Sequence, residues 1–273
     1  MHPEKNDEDL IMIKAVFFDI DGTLVPIGSG RVPADTRRAL AELRAKGVKV
    51  FISSGRHIEW IDNLGDLEFD GYVTVNGALC LGHDGRTPIF TRLIDKGDVE
   101  RLVDFSAGSS MPFVVVPARG GIFTTAIDDN FLVVAEMLHL PQVPVRSIED
   151  AKACDVVQMM VFGSHEEIEA SGLFRDVLTG CEPTSWCPYF ADIIPKGSDK
   201  SVGIDRMIEH FGIDISETMA FGDGENDMGM LEHVGLGVAM GNALPEVKAV
   251  ADYVTADADD DGIGKALRHF GVI

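Results

Sequence analysis

Short apolar runs alternate with amphipathic stretches over the first part of the chain. Residues 14–18 (KAVFF) end in Asp-Ile-Asp-Gly-Thr, the pattern of a buried strand entering a glycine-containing loop. Residues 34–46 place Ala39, Leu40 and Leu43 at helical spacing, with Gly47 as the stop signal. Residues 48–52 (VKVFI) read as the next strand and run into Ser53-Ser54-Gly55-Arg56. A further helix candidate and the strand YVTV at 72–75 follow. Strand, helix, strand and helix at these spacings predict a parallel sheet with crossover helices.

The pattern changes near Leu81. From there to about Trp186 the chain reads as TPIFTRL, a helix over 96–107, PFVVV, GIFTT, a helix over 129–138 and VVQMMVF. Hairpins and helices in that order predict an α+β unit rather than continued winding. The parallel pattern is expected to resume at ADIIP (191–195), with a helix over 199–210, the strand TMAF (218–221) and a helix after Asp227. The strand LGVAM (236–240) and a C-terminal helix over 261–270 complete it. The acidic Asp257–Asp261 run reads as a solvated turn and helix start. The expected fold class is α/β: a Rossmann-like doubly wound parallel-sheet core over 12–81 and 189–273, an inserted α+β domain over 82–188, and a loose extension over 1–11.

Length agrees with this division, because 273 residues suit one large or two modest domains. Composition is that of a globular protein, 45% hydrophobic and 25% charged. The net charge of −22, from 23 basic and 45 acidic side chains, disfavours nucleic acid and anionic lipid as partners. It also repels a phosphorylated substrate, so a site for one needs local positive charge. No apolar run reaches the roughly 18 residues of a membrane-spanning helix, and the first residues lack the pattern of a signal peptide. Cys80, Cys154, Cys181 and Cys187 form no C-x-x-C pair and are expected as reduced thiols in a cytoplasmic protein. The histidines show no zinc-site spacing, and neither a dinucleotide fingerprint nor a P-loop is present.

Four polar segments end strands of the expected parallel sheet: Asp19-Ile-Asp21-Gly22-Thr23, Ser54-Gly55-Arg56, the Lys196/Lys200 region, and Gly222-Asp223-Gly224-Glu225-Asn226-Asp227. Ligands of open α/β sheets bind outside the carboxyl ends of the strands, which gathers these groups at one edge. There Asp19, Asp21 and Asp223 lie close together. Two like charges at about 4 Å repel by roughly 4 kcal/mol at an effective dielectric near 20, so the cluster calls for a cation. Oxygen ligands of this kind favour Mg²⁺. Ser54 can donate to a phosphoryl oxygen, a lysine can offset its charge, and Gly22 and Gly55 let the backbone pass close to the ligand. Each segment also has a plainer use. Asp-x-Asp is a common turn or cap, Ser54 is a suitable helix N-cap, Arg56 and Lys200 are suitable surface residues, and Asn76-Gly77 is a favoured hairpin turn.

The segments together resemble the haloacid dehalogenase-like phosphatases, and Asn76-Gly77-Ala78 is typical of their Cof-type subfamily. Asp19-Ile-Asp-Gly-Thr-Leu is similar to the family's first motif, Ser54-Gly-Arg to the second, Asp192 through Lys200 to the third and Gly222-Asp-Gly-Glu-Asn-Asp-Met to the fourth. The third departs from the usual Ser-Lys-Gly, reading Asp-Lys-Ser at Lys200, which leaves Lys196 as the alternative lysine. The 146 residues between Ser54 and Lys200 imply a type-2 cap in this family, the substrate-specificity domain.

What the resemblance implies is a phosphoric monoester hydrolase acting on sugar phosphates or similar small metabolites. Asp19 would attack phosphorus. Asp21 would serve as acid and then base, a role needing its carboxyl to hold a proton more tightly than that of Asp19. Asp19, the Asp21 carbonyl and Asp223 would hold Mg²⁺, with Asp227 orienting its waters or Lys200. Ser54, Lys200 and Asn226 would bind the phosphoryl group, with Gly22, Thr23, Gly55, Arg56, Asn76 and Gly77 around phosphate and substrate. A phosphotransferase such as a mutase, or a non-catalytic phosphometabolite-binding regulator, are the alternatives. The substrate, the oligomeric state and the specificity residues of the cap, where Arg119, Asp128, Asn130 and Trp186 lie, stay open.

Overall fold

The computed structural model describes residues 12–125, 145–184 and 189–273, with positions 132 and 136. The helix expected over 129–138, and Asp128, Asn130, Trp186 and Cys187, fall outside the described residues, apart from the two isolated helix positions. Strands are numbered β1–β14 in chain order. An eight-stranded sheet has the order β14-β13-β12-β1-β2-β3-β4-β5. Its strands are β1 (Ala15–Phe18), β2 (Lys49–Ser53), β3 (Gly71–Thr74), β4 (Leu79–Gly82), β5 (Pro88–Thr91), β12 (Thr218–Gly222), β13 (Leu236–Ala239) and β14 (Tyr253–Val254). From β14 to β3 every pairing is parallel, and β4 and β5 add an antiparallel hairpin at one edge.

β1 is apolar at every position because both faces of this sheet are covered. Val16 and Phe18 pack with α1 (Ala34–Ala45) and with a helix over Gly262–His269 on one face. Ala15 and Phe17 face the opposite layer, which contains Ile204, Met207, Met230, Leu231 and Val247. The rings continue across the sheet: Phe17 stacks on Phe51 at 4.8 Å, and Phe18 on Phe221 at 5.1 Å. The chain leaves β1 toward β2 and β3 on one side and returns to β12 and β13 on the other. The reversal lies between β1 and β12, so a crevice is expected where these two strands end.

A second sheet has the order β10-β11-β9-β6-β7-β8, built from β6 (Phe113–Pro117), β7 (Ile122–Thr124), β8 (Val145–Ser147), β9 (Val156–Phe162), β10 (Cys181–Thr184) and β11 (Phe190–Pro195). It is antiparallel except between β7 and β8. Along β9 the side chains alternate by period 2. Met159 and Val161 join a cluster with Leu102 and Val103 of α2 (Lys96–Ser106), while Met160 and Phe162 pack with Trp60, Val75 and Leu79 of the first sheet's unit. One face therefore carries this unit's own core and the other lies against the eight-stranded unit.

Three expectations need correction. ADIIP is not a returning strand of the parallel sheet: β11 pairs antiparallel with β9 and β10. Conversely PIFT, expected in the insertion, is β5 of the eight-stranded sheet. A strand buried on both faces looks the same in either sheet, so hydrophobicity does not say which one it joins. The helix expected after Arg56 is a single 3₁₀ turn, Ile58–Trp60.

Candidate active site

The loop after β1 is held by its own backbone. Gly22 N–H donates to Val25 O at 2.8 Å, Leu24 N–H to Asp19 O at 3.2 Å, and Asp19 N–H to Phe221 O of β12 at 3.0 Å. Gly22 sits at φ +90°, and a Cβ there would fall 2.1 Å from Asp223 Oδ2. Both the left-handed backbone and the close approach require glycine. The loop after β12 lies against it: Thr23 Oγ1 donates to Asp223 Oδ1 at 2.8 Å. Thr23, expected at the phosphate, thus fixes Asp223 from a fully buried position.

Lys200 opens α4 (Lys200–Phe211; helices with described ends before it are α1, α2 and α3, His165–Ala170). Asp199 caps that helix by accepting from Ser201 N–H. The Lys200 side chain is 0% exposed, and its Nζ donates to Asp19 Oδ1 at 2.7 Å and to Asp227 Oδ1 at 2.6 Å. Lys196 instead donates to Thr179 O. Burial alone would lower the Lys200 ammonium; Asp19 and Asp227 outweigh it and hold the group above its ordinary value. Asp227 Oδ2 accepts from the backbone N–H groups of Asp223 and Gly224, both at 2.9 Å. Asp227 thereby clamps the second loop and anchors the lysine at once.

Asp19, Asp223 and Asp227 each present an oxygen within 4.8 Å of the others. Burial raises the Asp19 carboxyl well above the usual range against the pull of Lys200, with Asp227, Asp223 and Asp21 adding repulsion. Burial and then Asp227 push Asp223 up to about 7. Asp21 is held differently: Arg56 Nε and Nη2 donate to its two oxygens at 2.7 Å each, and Arg56 Nη1 donates to Trp60 O at 3.1 Å. The charged group paired with Asp21 is thus a guanidinium.

Ser54 Oγ accepts from Arg56 N–H at 3.2 Å, which leaves its own hydroxyl hydrogen for another acceptor. Beside it, Val75, Asn76 and Gly77 take positive φ in succession (54°, 47° and 85°) in the turn between β3 and β4. Left-handed backbone at a β-branched residue is costly, on the order of 1–3 kcal/mol. Here it brings Asn76 Oδ1 to accept from Asn226 Nδ2 at 3.0 Å. Asn76-Gly77 is thus both a hairpin turn and a neighbour of the acidic loop. A cavity of about 300 Å³ joins these groups, lined by Asp19, Asp21, Ser54, Gly55, Arg56, Asp223, Asn226 and Asp227 among others.

A family model described as haloacid dehalogenase-like hydrolase matches residues 16–267. The chain belongs to the haloacid dehalogenase-like hydrolases. It is 33% identical over 263 residues to YkrA of Bacillus subtilis, which is named as a phosphatase, covering 95% of this chain and 98% of that protein. A solved structure of the sugar phosphatase BT4131, of subclass IIB, aligns with TM-score 0.86 and 42% identity over 95% of this chain and 100% of that one. Another, of the phosphatase BT1666 from Bacteroides thetaiotaomicron, aligns with TM-score 0.87 and 31% identity over 99% of each chain.

The donor set of this hydrolase suits a hard divalent cation. Asp19, Asp21, Asp223 and Asp227 are four carboxylates against the two cations Lys200 and Arg56, an excess of two negative charges when ionised. Both oxygens of Asp227 already have partners, whereas Asp19 Oδ2 accepts no hydrogen bond from the described residues. Oxygen-rich clusters of this kind favour Mg²⁺. Sequence reasoning missed Asn242, whose Nδ2 donates to Gly22 O at 2.8 Å and approaches Asp223 Oδ2 at 3.4 Å. Its only signal was Gly241-Asn242 after the strand LGVAM. It also missed Gln158, and it named Asp192 only as the start of the third motif; both line the cavity, from β9 and β11. Among the described residues no helix is long and apolar enough to cross a membrane.

Proposed function

We propose that this haloacid dehalogenase-like hydrolase is a Mg²⁺-dependent phosphatase of small phosphate monoesters, working through an aspartyl-phosphate on Asp19. The observation that carries the reading is the position of Asp19. It lines the cavity, one oxygen is neutralised by the buried Lys200, and two further carboxylates lie within reach of a shared cation. The phosphatase name of YkrA and the description of BT4131 as a sugar phosphatase support it.

An oxygen of Asp19 attacks phosphorus, and the bond from phosphorus to the ester oxygen breaks. The departing alkoxide takes a proton from Asp21. Asp21 then takes a proton from water, the water oxygen attacks the same phosphorus, and Asp19 is released with inorganic phosphate. Arg56 fixes the direction of the Asp21 carboxyl through both steps. Ser54 and Asn226 donate to the phosphoryl oxygens, and Lys200 offsets charge on Asp19 and on the group it receives. Mg²⁺, held by Asp19, Asp223 and the Asp21 carbonyl, would neutralise the phosphoryl charge. The unit built on the second sheet acts as the cap, closing over the leaving group. The chain works as a cytoplasmic enzyme on a phosphorylated metabolite, without nucleic acid or membrane.

The test is phosphate release from p-nitrophenyl phosphate with Mg²⁺. Turnover is expected to vanish with EDTA and with Asp19→Asn. Activity surviving both would overturn the reading.

A further inference from the structure

The cap side of the cavity carries a polar pair that the chemistry above does not use. Gln158 on β9 and Asp192 on β11 share one face of the second sheet with Met160 and Phe190. Asp192 stands opposite Met160 in the antiparallel pairing, which makes Gln158 its diagonal neighbour. The Gln158 side chain is near enough to the Asp192 carboxyl to oppose part of the effect of its burial. Gln158 is 1% exposed and Asp192 6%. Among the described residues, Gln158 Oε1 and Asp192 Oδ1 have no hydrogen-bond partner. A buried polar atom left unpaired is destabilising, because it has given up its bond to water and gained none in return. Two such atoms, on neighbouring residues that line the same cavity as Asp19, fit a surface that is completed by ligand.

The rest of that wall narrows the ligand class. Ile27, Trp60, Met160, Phe190 and Leu244 supply apolar surface. Arg56 is the sole cationic side chain lining the cavity among the described residues, and it is engaged with Asp21 and Trp60 O. A leaving group with a second negative charge would find no cation of its own among the described residues of the lining. Burial pushes the Asp192 carboxyl up to about 8, so near neutral pH this carboxyl can donate as well as accept. The cavity volume, about 300 Å³, is at the small end of ligand sites.

We propose that Gln158 and Asp192 are the specificity pair of the cap, hydrogen-bonding the hydroxyl groups of a compact, uncharged polyol leaving group whose C–H faces rest on the apolar wall. The inference rests on the phosphatase reading and adds to it which residues select the ester. Its test compares kcat/KM for a hexose phosphate with that for p-nitrophenyl phosphate, whose leaving group has no hydroxyl to offer the pair beyond the scissile oxygen. In wild type the ratio is expected to exceed that for a carboxylated ester such as phosphoglycerate measured against the same reference. Gln158→Leu and Asp192→Ala are expected to lower the hexose phosphate ratio by about 10- to 100-fold. Asp192→Asn keeps the shape and one acceptor, should remain folded if the others do not, and is expected to lower the ratio less.

Ratios unchanged in all three variants would overturn the proposal. So would a wild type that turns over p-nitrophenyl phosphate but prefers the carboxylated ester. A wild type inactive on every ester with Mg²⁺ would overturn the phosphatase reading itself, and this inference with it.

Discussion

Arg56 grips both carboxylate oxygens of Asp21 across 35 residues of sequence, at 2.7 Å each, from a side chain that is 4% exposed. A bidentate fork fixes direction as well as charge. If Arg56 only orients Asp21, its replacement should act on the chemical step. Arg56→Lys is expected to lower kcat by about 10- to 100-fold, the cost of misplacing a reacting group by roughly 1 Å, with KM changed less than about threefold. A large rise in KM with kcat retained would show instead that Arg56 binds substrate directly.

Lys200 neutralises two buried carboxylates at once. Removing one partner of a buried ion pair leaves charge uncompensated, at about 3–5 kcal/mol. Lys200→Met is therefore expected to lower unfolding free energy by that order in urea titration and to abolish turnover. A variant as stable as wild type would contradict the buried ion-pair arrangement.

Asp192 links the cap to pH. Burial pushes its carboxyl up to about 8 in the fold, well above the ordinary carboxylate range. The folded state then binds the proton more tightly than the unfolded chain. This contribution to stability is complete below the unfolded value and is lost as pH rises through the folded one. Melting curves should show Asp192→Asn gaining on wild type from about pH 4 to about pH 8, with a constant difference above that. A difference that shrinks with rising pH would contradict the burial of this carboxyl.

Glu59 joins the two units. Its Oε1 accepts from Gly120 N–H at 2.9 Å and its Oε2 from Gly121 N–H at 3.1 Å, in the turn between β6 and β7. Although burial opposes it, these bonds hold the Glu59 carboxyl below its ordinary range. Glu59→Ala is expected to speed amide hydrogen exchange at Gly120 and Gly121 by about tenfold, the loss of roughly 1–2 kcal/mol of local stability. Unchanged exchange there would show that the clasp does not hold the cap.

What the sequence makes legible follows the range of the forces involved. The loops after β1 and β12 are read correctly as turns after buried strands, because the glycines and aspartates that shape them are contiguous. Sheet membership is not legible for β5 and β11: each is a short apolar run, and pairing depends on distant segments. The Arg56–Asp21 fork, the Asn76–Asn226 contact and the Gln158–Asp192 pair are likewise products of tertiary approach, without local periodicity to announce them. Three aspartates at strand ends repel unless a cation joins them, but the carboxylates that the fold brings within 4.8 Å are those of Asp19, Asp223 and Asp227, while that of Asp21 pairs with Arg56. That Thr23 braces Asp223 from a buried position could be seen only in the fold, whereas the resemblance already implied Asp227 as a support for Lys200.

The central claim is that Asp19 itself takes the phosphoryl group. Acid quench of the enzyme turning over p-nitrophenyl phosphate with Mg²⁺, followed by peptide mass spectrometry, tests it directly. The account predicts the added mass of one phosphoryl group on the peptide containing Asp19, and its loss in Asp19→Asn together with turnover. Wild-type turnover in Asp19→Asn, or a phosphoryl group found on another residue, would contradict it.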